Sequence, residues 1–449
     1  MGFTKELADF VTTVKYDDLN QEIIQKSKEA FLDCMGVMIA GAGEEVGAKI
    51  LGYVGNQCKN GSAPILGSSV RATVSDAALA MGTLAHALDY DDVYWPMTGH
   101  PTVAIIPVIL ALSEACKISG KKAIEAYIAG FEVEAILGKA TSEYHYHKGW
   151  HTTSTIGPFG AVTAAAKILN LNHEQLRNAL GIAASNASGL RQNFGTMTKP
   201  LHAGQAARGG LMAALLAKDG FTADNNIIEA DLGFVNAFCG KGNHKLDEVK
   251  FKPKPVKNWA LLKPGRDVKR YPSCGATQTA IDCIREIAAE NNLKAADIEQ
   301  IECYVNPNVR KILIKDRPET GLEGKFSMPY CVAVALIDGD AGLKQFKDER
   351  VMRKDVQNLL RKVNLVEHDL KTLYEVVVKV KSRKGFFEKA SAHAKGSPEN
   401  PMTYSEMTDK FKMCVEGILT AKAAGAAIKD ISRLESLKNI ASLVDLCCP

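Results

Sequence analysis

Helical spacing of hydrophobic residues dominates the first 264 or so positions of this chain. Over 19–40, Ile23 and Val37 lie close to one helix face, and Gly41 is expected to end that helix. A second helix, predicted to start with Ser75 as its N-cap, is rich in alanine and glycine, which indicates close packing against other helices. Further helices are predicted over 102–119, 122–141, 157–169, 172–187, 203–218 and 226–230. Because almost nothing here alternates with the period of two typical of strands, we predict an all-α domain.

The pattern changes at Phe251-Lys252-Pro253-Lys254-Pro255, a segment rich in proline and charge that we interpret as a linker. Beyond it, hydrophobic residues no longer keep to helical spacing alone. The pattern there predicts two strands, over 298–305 and 374–381, and three helices, over 276–291, 328–337 and 349–363. Together these elements describe a small α/β domain.

The C-terminal part of the chain returns to helical spacing. Thr403 and Glu406 have the spacing of a capping box, and helices are predicted over 405–422 and 431–444. These helices could rejoin the N-terminal ones. We therefore predict a mainly α protein with a large all-α helical domain, residues 1–264 and 398–449, and a smaller α/β lid domain inserted before the C-terminal helices, residues 265–397.

Length and composition exclude several classes of protein. A chain of 449 residues can bury a large core without disulfide or metal staples, and its 46% hydrophobic and 24% charged residues are ordinary for a globular protein. A net charge of +4 is too small to indicate nucleic acid or a membrane surface as partner. The eleven cysteines have neither framework nor paired metal-ligand spacing. We expect reduced thiols, no metal site, no signal peptide and a cytoplasmic location.

The first segment that could carry chemistry runs from His86 to Asp92 and is followed by His100-Pro101. Its three aspartates stand at the end of a predicted helix, where the dipole favours cations instead. Either a cationic partner or a functional task offsets this cost, or the helix end is simply solvated. His100 precedes a new apolar helix, whose N-terminus should lower the histidine's pKa and suit it to acid–base work or anion binding.

A second segment holds three of the ten histidines: His145, His147 and His151. No single helix face can hold all three, which argues against a metal cage. His151 is followed by a glycine-rich helix start and is a candidate for binding a carboxylate. The alternative is a surface loop of aromatic and histidine residues.

Two further segments place cations at predicted helix starts. Lys199 comes just before Pro200, with His202 following, so its ammonium is expected at the mouth of a helix. Lys269 and Arg270 precede another helix start close to the domain junction. There, Ser273 and Thr277 add hydroxyls, and Cys274 is reactive if the helix lowers its pKa.

A fifth segment, from Gly324 to Tyr330, opens a helix, and Tyr330 could donate a proton or bind a carboxylate. Each of the five segments also has an ordinary structural explanation, such as a solvated lysine or a packed tyrosine. Together, however, they gather cations and histidines near helix starts, which favours a small di- or tricarboxylate as ligand. Phosphate-binding and nucleophile-elbow motifs are lacking in the sequence, so nucleotide-dependent and hydrolase functions have little support.

At these same five segments, the sequence resembles the MmgE/PrpD family, which includes 2-methylcitrate dehydratase, cis-aconitate decarboxylase and iminodisuccinate epimerase. The motifs occur in the family's order over nearly the whole chain. They are His86-Ala87-Leu88-Asp89-Tyr90-Asp91-Asp92 with Gly99-His100-Pro101, Gly149-Trp150-His151, Thr198-Lys199-Pro200-Leu201-His202, Val268-Lys269-Arg270-Tyr271-Pro272, Lys325-Phe326-Ser327-Met328-Pro329-Tyr330 and Gly396-Ser397-Pro398-Glu399-Asn400-Pro401.

The resemblance implies a two-domain homodimer that works without a cofactor at the carbon next to a carboxylate. It also implies that six residues line the pocket: Asp89, His100, His151, Lys199, Lys269 and Tyr330. We expect His100 and His151 to serve as base and acid, Asp89 to orient a histidine, and Tyr330 to donate to a carboxylate or leaving group. Substrate binding is assigned to Lys199, Lys269, Arg270, Ser273 and His202.

Two departures bear on the reaction. Val93 stands where the decarboxylases have threonine, and the run after Pro272 continues Ser273-Cys274-Gly275-Ala276-Thr277, which looks more like the epimerase branch. Our first hypothesis is a hydro-lyase of the 2-methylcitrate dehydratase type. The alternatives are an epimerase with Cys274 as second base, a decarboxylase of the cis-aconitate type, and a carboxylate-binding protein without catalysis.

Overall fold

Helices account for most of the regular structure, which confirms the prediction of a mainly α protein.

The computed structural model describes residues 2–57, 61–249 and 259–449, so the predicted linker over 251–255 lies outside the described residues. The helices in chain order are α1 (Phe3–Thr13), α2 (Gln21–Ala42), α3 (Glu45–Gln57), α4 (Val74–His86), α5 (Thr102–Ala111), α6 (Ser113–Cys116), α7 (Gly120–His147), α8 (Thr152–Thr155), α9 (Gly157–Leu169), α10 (His173–Ser185), α11 (Thr198–Lys218), α12 (Phe234–Cys239), α13 (Gln278–Glu290), α14 (Gly321–Gly324), α15 (Met328–Asp338), α16 (Asp348–Val351), α17 (Lys354–Leu360), α18 (Tyr404–Val415), α19 (Ala421–Ser432) and α20 (Ala441–Leu446). The strands are β1 (Ala63–Pro64), β2 (Arg71–Ala72), β3 (Ile298–Val305), β4 (Val363–Glu367), β5 (Val376–Ser382) and β6 (Gly385–Ser391). Within the described ranges, these helices lack the combination of length and hydropathy that a membrane-spanning segment requires.

The chain divides into two units. Unit 1 comprises Met1–Ala87, Asp91–Arg266 and Thr403–Pro449, and unit 2 comprises Leu88–Tyr90 and Asp267–Met402. The sequence pattern suggested boundaries after 264 and 397, and it contained no sign that Leu88–Tyr90 belongs with the second unit. Contacts inside unit 2 explain that assignment, since Lys269 Nζ lies 2.8 Å from Asp89 Oδ1 and the Tyr90 hydroxyl donates to the Arg270 carbonyl.

Unit 1 is built around α5. All ten residues of this helix, Thr102–Ala111, are buried, as expected for a helix that is apolar on every side. Helices α4, α7, α9 and α11 pack against it. The unit predicted as all-α also contains one small antiparallel sheet, in which β1 pairs with β2. That prediction missed the sheet because each strand has only two residues and shows no alternation.

Two helix ends in unit 1 differ from the predicted ones because of neighbouring side chains. Helix α2 continues through Gly41 to Ala42, since Gly41 serves close packing and does not end the helix. A Cβ at this position would lie 2.1 Å from the carbonyl oxygen of Leu84. The N-cap of α4 is Thr73, whose side chain accepts a hydrogen bond from the backbone N–H of Asp76.

Helices α7 and α11 are longer than predicted and reach the candidate site residues. Helix α7 begins behind the Ser119 cap and continues to His147, so His145 is helical as well. Helix α11 begins at Thr198, which places Lys199 and His202 in its first turns. Two other predictions were wrong. The helix over 102–119 breaks at Leu112, and 226–230 forms turns.

The close packing inferred from the small residues of α4 is confirmed by its contact with α11. A Cβ added at Gly204 would lie 2.2 Å from the Leu79 carbonyl oxygen and 2.3 Å from Thr83 Oγ1. We expect Gly204→Ala to destabilise the protein by about 1–3 kcal/mol or more through this overlap. Thermal unfolding measures the effect, and Gly425→Ala is the control, because nothing lies within 4 Å of a Cβ there and alanine should stabilise helix α19. A Gly204→Ala protein that melts like the wild type would contradict the packing.

Unit 2 contains a four-stranded sheet in the order β4-β3-β5-β6, with β3 parallel to β4 and the other pairs antiparallel. Helices α13 and α15 pack against each other and against this sheet. The predicted strand over 298–305 is confirmed as β3. The count of two strands was wrong, because β4 and β6 were not predicted. The single helix predicted over 349–363 was also wrong, since this segment forms the short helices α16 and α17 and ends where β4 starts.

The C-terminal helices also differ in their bounds. The capping box of Thr403 and Glu406 is confirmed at the start of α18. That helix ends at Val415, before Gly417, which has a φ of 78°. The single helix predicted over 431–444 was wrong, since α19 ends at Ser432 and α20 begins at Ala441.

Candidate active site

Four histidines of unit 1 lie side by side and form what we call the histidine cluster: His86, His100, His151 and His202. His86 is the last residue of α4, His100 stands just before α5, His151 is the N-cap of α8, and His202 lies near the start of α11. The ring centroids of His86 lie 4.6 Å from His100 and 5.8 Å from His151, and those of His151 and His202 are 5.3 Å apart. Four separate chain segments therefore bring their imidazoles to one place.

Asp91 binds two of these imidazoles at once. Its Oδ2 lies 2.8 Å from His86 Nδ1 and 3.0 Å from His100 Nδ1, and His100 Nδ1 also lies 2.8 Å from the Asp92 carbonyl oxygen. Because Asp91 and the Asp92 carbonyl are acceptors, the two Nδ1 atoms donate to them and each carries a proton. Burial would raise the pKa of the Asp91 carboxyl, but the two imidazoles hold it well below its usual range. The neutral form of His100 then has its basic lone pair on Nε2.

Lys199 continues this hydrogen-bonded series. Its Nζ lies 2.9 Å from His86 Nε2, and the side chain is buried in the first turn of α11. Burial lowers the pKa of His86 to about 3 against the attraction of Asp91, and the charge of Lys199 lowers it further. His86 is therefore neutral, donating from Nδ1 to Asp91 and accepting at Nε2 from the ammonium of Lys199. His86, Asp91 and His100 are also metal-ligand types, and the ammonium of Lys199 lies at Nε2 of His86.

His151 and His202 form a second pair. Their Nδ1 atoms are 3.1 Å apart, so one must donate and the other accept. Burial, followed by the charge of Lys199, lowers the pKa of His151 well below its usual value and that of His202 to about 4. The ring of Phe194 packs edge-on against His151 and lies 5.4 Å from Lys199 Nζ. This apolar wall limits the hydration of both groups.

A buried ionic network lies beside the histidine cluster. Arg266 Nη1 lies 3.1 Å from Asp92 Oδ2 and 3.9 Å from Asp33 Oδ2, and Lys410 Nζ lies 2.6 Å from Asp33 Oδ1. Thr102 also donates to the Asp92 carboxylate. The carboxylates after α4 are thus buried and paired, which confirms that a compensating partner exists and excludes the solvated helix end.

Unit 2 holds the other set of predicted site residues. Asp89 has a φ of 51°, which is uncommon outside glycine, and its carbonyl and carboxylate both accept from Lys269 Nζ, at 2.7 and 2.8 Å. Lys325 Nζ donates to the carbonyl of Leu88 at 2.5 Å, and both lysines are buried. Two buried ammonium groups therefore bind consecutive carbonyls of the segment Leu88–Tyr90.

The remaining predicted residues of unit 2 serve mostly local contacts. Ser273 is buried and lies 2.8 Å from the hydroxyl of Thr277, and the guanidinium of Arg270 lies 5.7 Å from the ring centroid of Tyr271. Cys274 is partly buried, and its backbone N–H donates to the carbonyl of Lys325.

Tyr330 is buried in unit 2. Its hydroxyl donates to the carbonyl of Gln345, and burial raises its pKa above the usual value. The predicted role of Tyr330 requires its hydroxyl proton, and in this structure that proton is used in the hydrogen bond to Gln345.

Sequence reasoning missed several residues that the geometry makes prominent. His86 and Asp91 stand in the first motif, but attention fell on Asp89 as the carboxylate that orients a histidine. Asp91 is the carboxylate that contacts His86 and His100, and Asp89 forms an ion pair with Lys269. The His-x-x-Asp-x-Asp-Asp spacing at 86–92 was the available signal. His145 and His147 prove to be helical, and His145 Nε2 lies 2.5 Å from Thr155 Oγ1, away from Asp91.

The buried ionisable groups of unit 1 predict a stability maximum near pH 6.5. Burial holds four histidines neutral with lowered pKa values, namely His86, His145, His151 and His202. It also raises the pKa of Glu132 to about 8 and that of Glu134 well above its usual value. Below pH 6.5, the unfolded chain binds protons that the folded histidines do not, so stability falls as the pH falls. Above pH 4.5, the unfolded chain releases protons that both glutamic acids keep, so stability also falls toward pH 8.

Each such proton changes the free energy of unfolding by about 1.4 kcal/mol per pH unit. Between pH 4.5 and 6.5 four histidines outweigh two glutamic acids, and above 6.5 only the glutamic acids act. Urea unfolding at half-unit pH steps measures the profile. Glu132→Gln should flatten its alkaline side, because the amide oxygen can still accept from the Ala260 N–H. Stability that keeps rising from pH 6.5 to 8 would contradict the assignment.

Comparisons with known proteins cover nearly the whole chain. The model of the MmgE/PrpD N-terminal domain matches residues 5–247, and that of the MmgE/PrpD C-terminal domain matches residues 271–434. A cis-aconitate decarboxylase of Mus musculus is 30% identical over 462 residues, which cover 99% of this chain and 93% of that protein. The Homo sapiens cis-aconitate decarboxylase is 28% identical, with 99% and 94% covered. A probable 2-methylcitrate dehydratase of Saccharomyces cerevisiae is 23% identical, with 81% and 74% covered.

Proposed function

Because the chain belongs to the MmgE/PrpD family of enzymes, we propose that it is a cofactor-independent lyase whose substrate is a small di- or tricarboxylic acid. We assign to it proton transfer at the carbon next to a carboxylate. The observation that carries the proposal is the hydrogen-bonded series from Lys199 through His86 and Asp91 to His100. One network holds both a cation suited to a carboxylate and an imidazole suited to accepting a proton.

His100 is our candidate for the base. Its Nδ1 proton is held by Asp91 and by the Asp92 carbonyl, which fixes the tautomer and leaves Nε2 as the proton acceptor. The anionic Asp91 also stabilises the imidazolium that forms when His100 takes a proton. This division between an orienting carboxylate and a reacting imidazole is a general solution for acid–base catalysis.

Lys199 is our candidate for stabilising the negative charge on the substrate carboxylate. His151 is our candidate for the second group that exchanges a proton with the substrate. Removal of a proton or of carbon dioxide next to a carboxylate leaves negative charge on the carboxylate oxygens, and a buried ammonium attracts that charge strongly. His151, held by His202, exchanges a proton with the substrate. His202 thereby contributes to binding through His151.

In unit 2, we propose Lys269 as a further carboxylate-binding residue. Its ion pair with Asp89 keeps the ammonium charged although it is buried, which supports a role in anion binding. Arg270 and Ser273 are additional candidates for binding carboxylate and hydroxyl groups. Tyr330 would then support the fold of unit 2 through its bond to Gln345 and serve as a proton donor only if that bond opens.

Two lyase reactions fit this chemistry. In decarboxylation, the bond to the leaving carboxylate breaks, carbon dioxide departs, and a proton is delivered to the carbon. In dehydration, a base takes the proton from carbon and an acid supplies one to the leaving hydroxyl. We rank decarboxylation of a tricarboxylate such as cis-aconitate first, because the decarboxylases of mouse and human match this chain over 93% and 94% of their length. Dehydration of 2-methylcitrate is second, supported by the shorter match to the yeast protein.

Proton NMR in deuterated water tests the proposal with a panel of 2-methylcitrate, citrate, cis-aconitate, malate and iminodisuccinate. Carbon dioxide release with a deuterium in the product identifies a decarboxylase. A new alkene resonance at the expense of a hydroxy acid identifies a dehydratase. Deuterium exchange without a new covalent product identifies an epimerase, and Cys274→Ser should then strongly reduce epimerisation, whereas it should affect a dehydratase little.

A matched pair of variants controls this experiment. His151→Ala should abolish turnover, whereas His147→Ala, from the same segment but with an exposed side chain, should not. Full activity of His151→Ala would defeat the assignment of its role. Absence of any change in the whole panel would defeat the proposed substrate class.

We also infer a homodimer from the family. Light scattering of the purified protein measures the mass directly, and the monomer mass of 48.5 kDa makes the distinction easy. A monomer at micromolar concentration would contradict the inference.

A further inference from the structure

Beyond the residues assigned to binding and proton transfer, we propose that His86 is a positioning residue that links the carboxylate-binding ammonium of Lys199 to the carboxylate that orients His100. The inference rests on the proposed function for its kinetic part. Its structural part, the tautomer and the two hydrogen bonds of His86, stands on the geometry alone.

The first step is that both nitrogens of His86 are engaged by groups of opposite charge. Nδ1 lies 2.8 Å from Asp91 Oδ2, and Nε2 lies 2.9 Å from Lys199 Nζ. The side chain is fully buried, so water does not compete for either nitrogen. An imidazole that donates on one side and accepts on the other is polarised by both neighbours, and each bond strengthens the other.

The second step is that this arrangement excludes His86 as a base. Its lone pair points at an ammonium, and its proton points at a carboxylate. Within unit 1, the described ionisable groups that face it include Asp91, Lys199, His100 and His151. Of these, only Asp91 favours the imidazolium, and burial outweighs it. His86 therefore stays neutral while His100 exchanges protons.

The third step is that Asp91 is shared. One carboxylate oxygen contacts Nδ1 of His86 and Nδ1 of His100. Movement of His86 therefore changes both the position of the Lys199 ammonium and the orientation of the His100 imidazole. Because Asp91 is shared, replacing His86 by amide side chains of different length should separate the effect on Lys199 from the effect on His100.

Asparagine and glutamine provide the separation. In His86→Asn, the side-chain amide nitrogen lies near the place of Nδ1 and can still donate to Asp91. The asparagine side chain is too short, however, to accept from Lys199. In His86→Gln, the amide oxygen lies near the place of Nε2 and can still accept from Lys199, but the donor to Asp91 is lost. Each variant keeps one bond of the pair.

We expect His86→Asn to raise KM about 10- to 100-fold with little change in kcat, because Lys199 loses its hydrogen bond to His86. We expect His86→Gln to lower kcat about 10- to 100-fold with little change in KM, because Asp91 is left to a single imidazole. A merely structural role would move kcat and KM alike in both variants, along with the melting temperature. Equal effects in the two variants, or wild-type kinetics in either, would overturn the proposal.

A second readout does not depend on turnover. Nitrogen-15 NMR of protein labelled at histidine reports the tautomer, and the His86 signals are assigned by their loss in His86→Gln. We expect a protonated Nδ1 and an unprotonated Nε2 that do not titrate between pH 5 and 8. A protonated Nε2, or titration in that range, would overturn the inference even in an active enzyme. If no acid in the panel is turned over, the proposed function fails, and this readout alone decides the role of His86.

Discussion

Replacement of His100 by asparagine should lower kcat by about 10²- to 10⁴-fold, the range that a positioned general base contributes. Asparagine keeps an N–H near the place of Nδ1, so the bonds to Asp91 and to the Asp92 carbonyl can persist. It has no counterpart of Nε2, which is the atom assigned to proton transfer. The variant therefore removes the chemistry while retaining the local hydrogen bonds, and steady-state kinetics with the best acid of the panel measures the loss.

His147→Ala serves as the control for this variant, since it also removes a histidine but from an exposed position. Circular dichroism and the melting temperature of His100→Asn should stay close to the wild type. A kcat within tenfold of the wild type would move the role of base to another residue, and His151 would be the next to test.

The second large effect concerns stability. Arg266→Met should lower the free energy of unfolding by about 3–5 kcal/mol, because it leaves the buried carboxylate of Asp92 without its cation. Lys410 still faces Asp33 at 2.6 Å, so the loss falls mainly on Asp92. Denaturant unfolding measures the change. Activity should fall as well, since the backbone carbonyl of Asp92 holds His100.

Arg208→Met is the matched control for Arg266→Met. Arg208 lies 3.4 Å from Asp76, but its side chain is 37% exposed, so its ion pair should contribute at most about 1 kcal/mol. If the free energy of unfolding falls by the same small amount in both variants, the buried ionic network does not stabilise unit 1.

Hydrophobic spacing predicted the helices well because helix formation depends on residues three or four positions apart. It failed where a distant partner decides the conformation. The strand β4 was not predicted, because its pairing with β3, from Val363 opposite Ile301 onward, is not visible in its own five residues. Gly41 was read as a helix end, whereas the neighbouring Leu84 carbonyl requires a glycine there.

For the candidate site, the motifs identified the right segments and residue types, but not the pairs. That Asp91 contacts two imidazoles while Asp89 binds Lys269 depends on the packing inside each unit, and the sequence order Asp89-Tyr90-Asp91 does not reveal it. Partner choice inside a network is a property of three-dimensional packing. Residue type and charge, in contrast, can be read directly from the sequence. They were enough to identify the histidines and lysines of the site.

The assignment of Leu88–Tyr90 to unit 2 has a consequence for modular engineering. A chimera that exchanges only 267–402 between two relatives would leave Lys269 and Lys325 with carbonyl acceptors inherited from a foreign host. The exchangeable module is therefore discontinuous and consists of a long segment and a tripeptide. Recombination at a single pair of crossover points cannot transfer it, so a working chimera has to exchange the tripeptide and the long segment together.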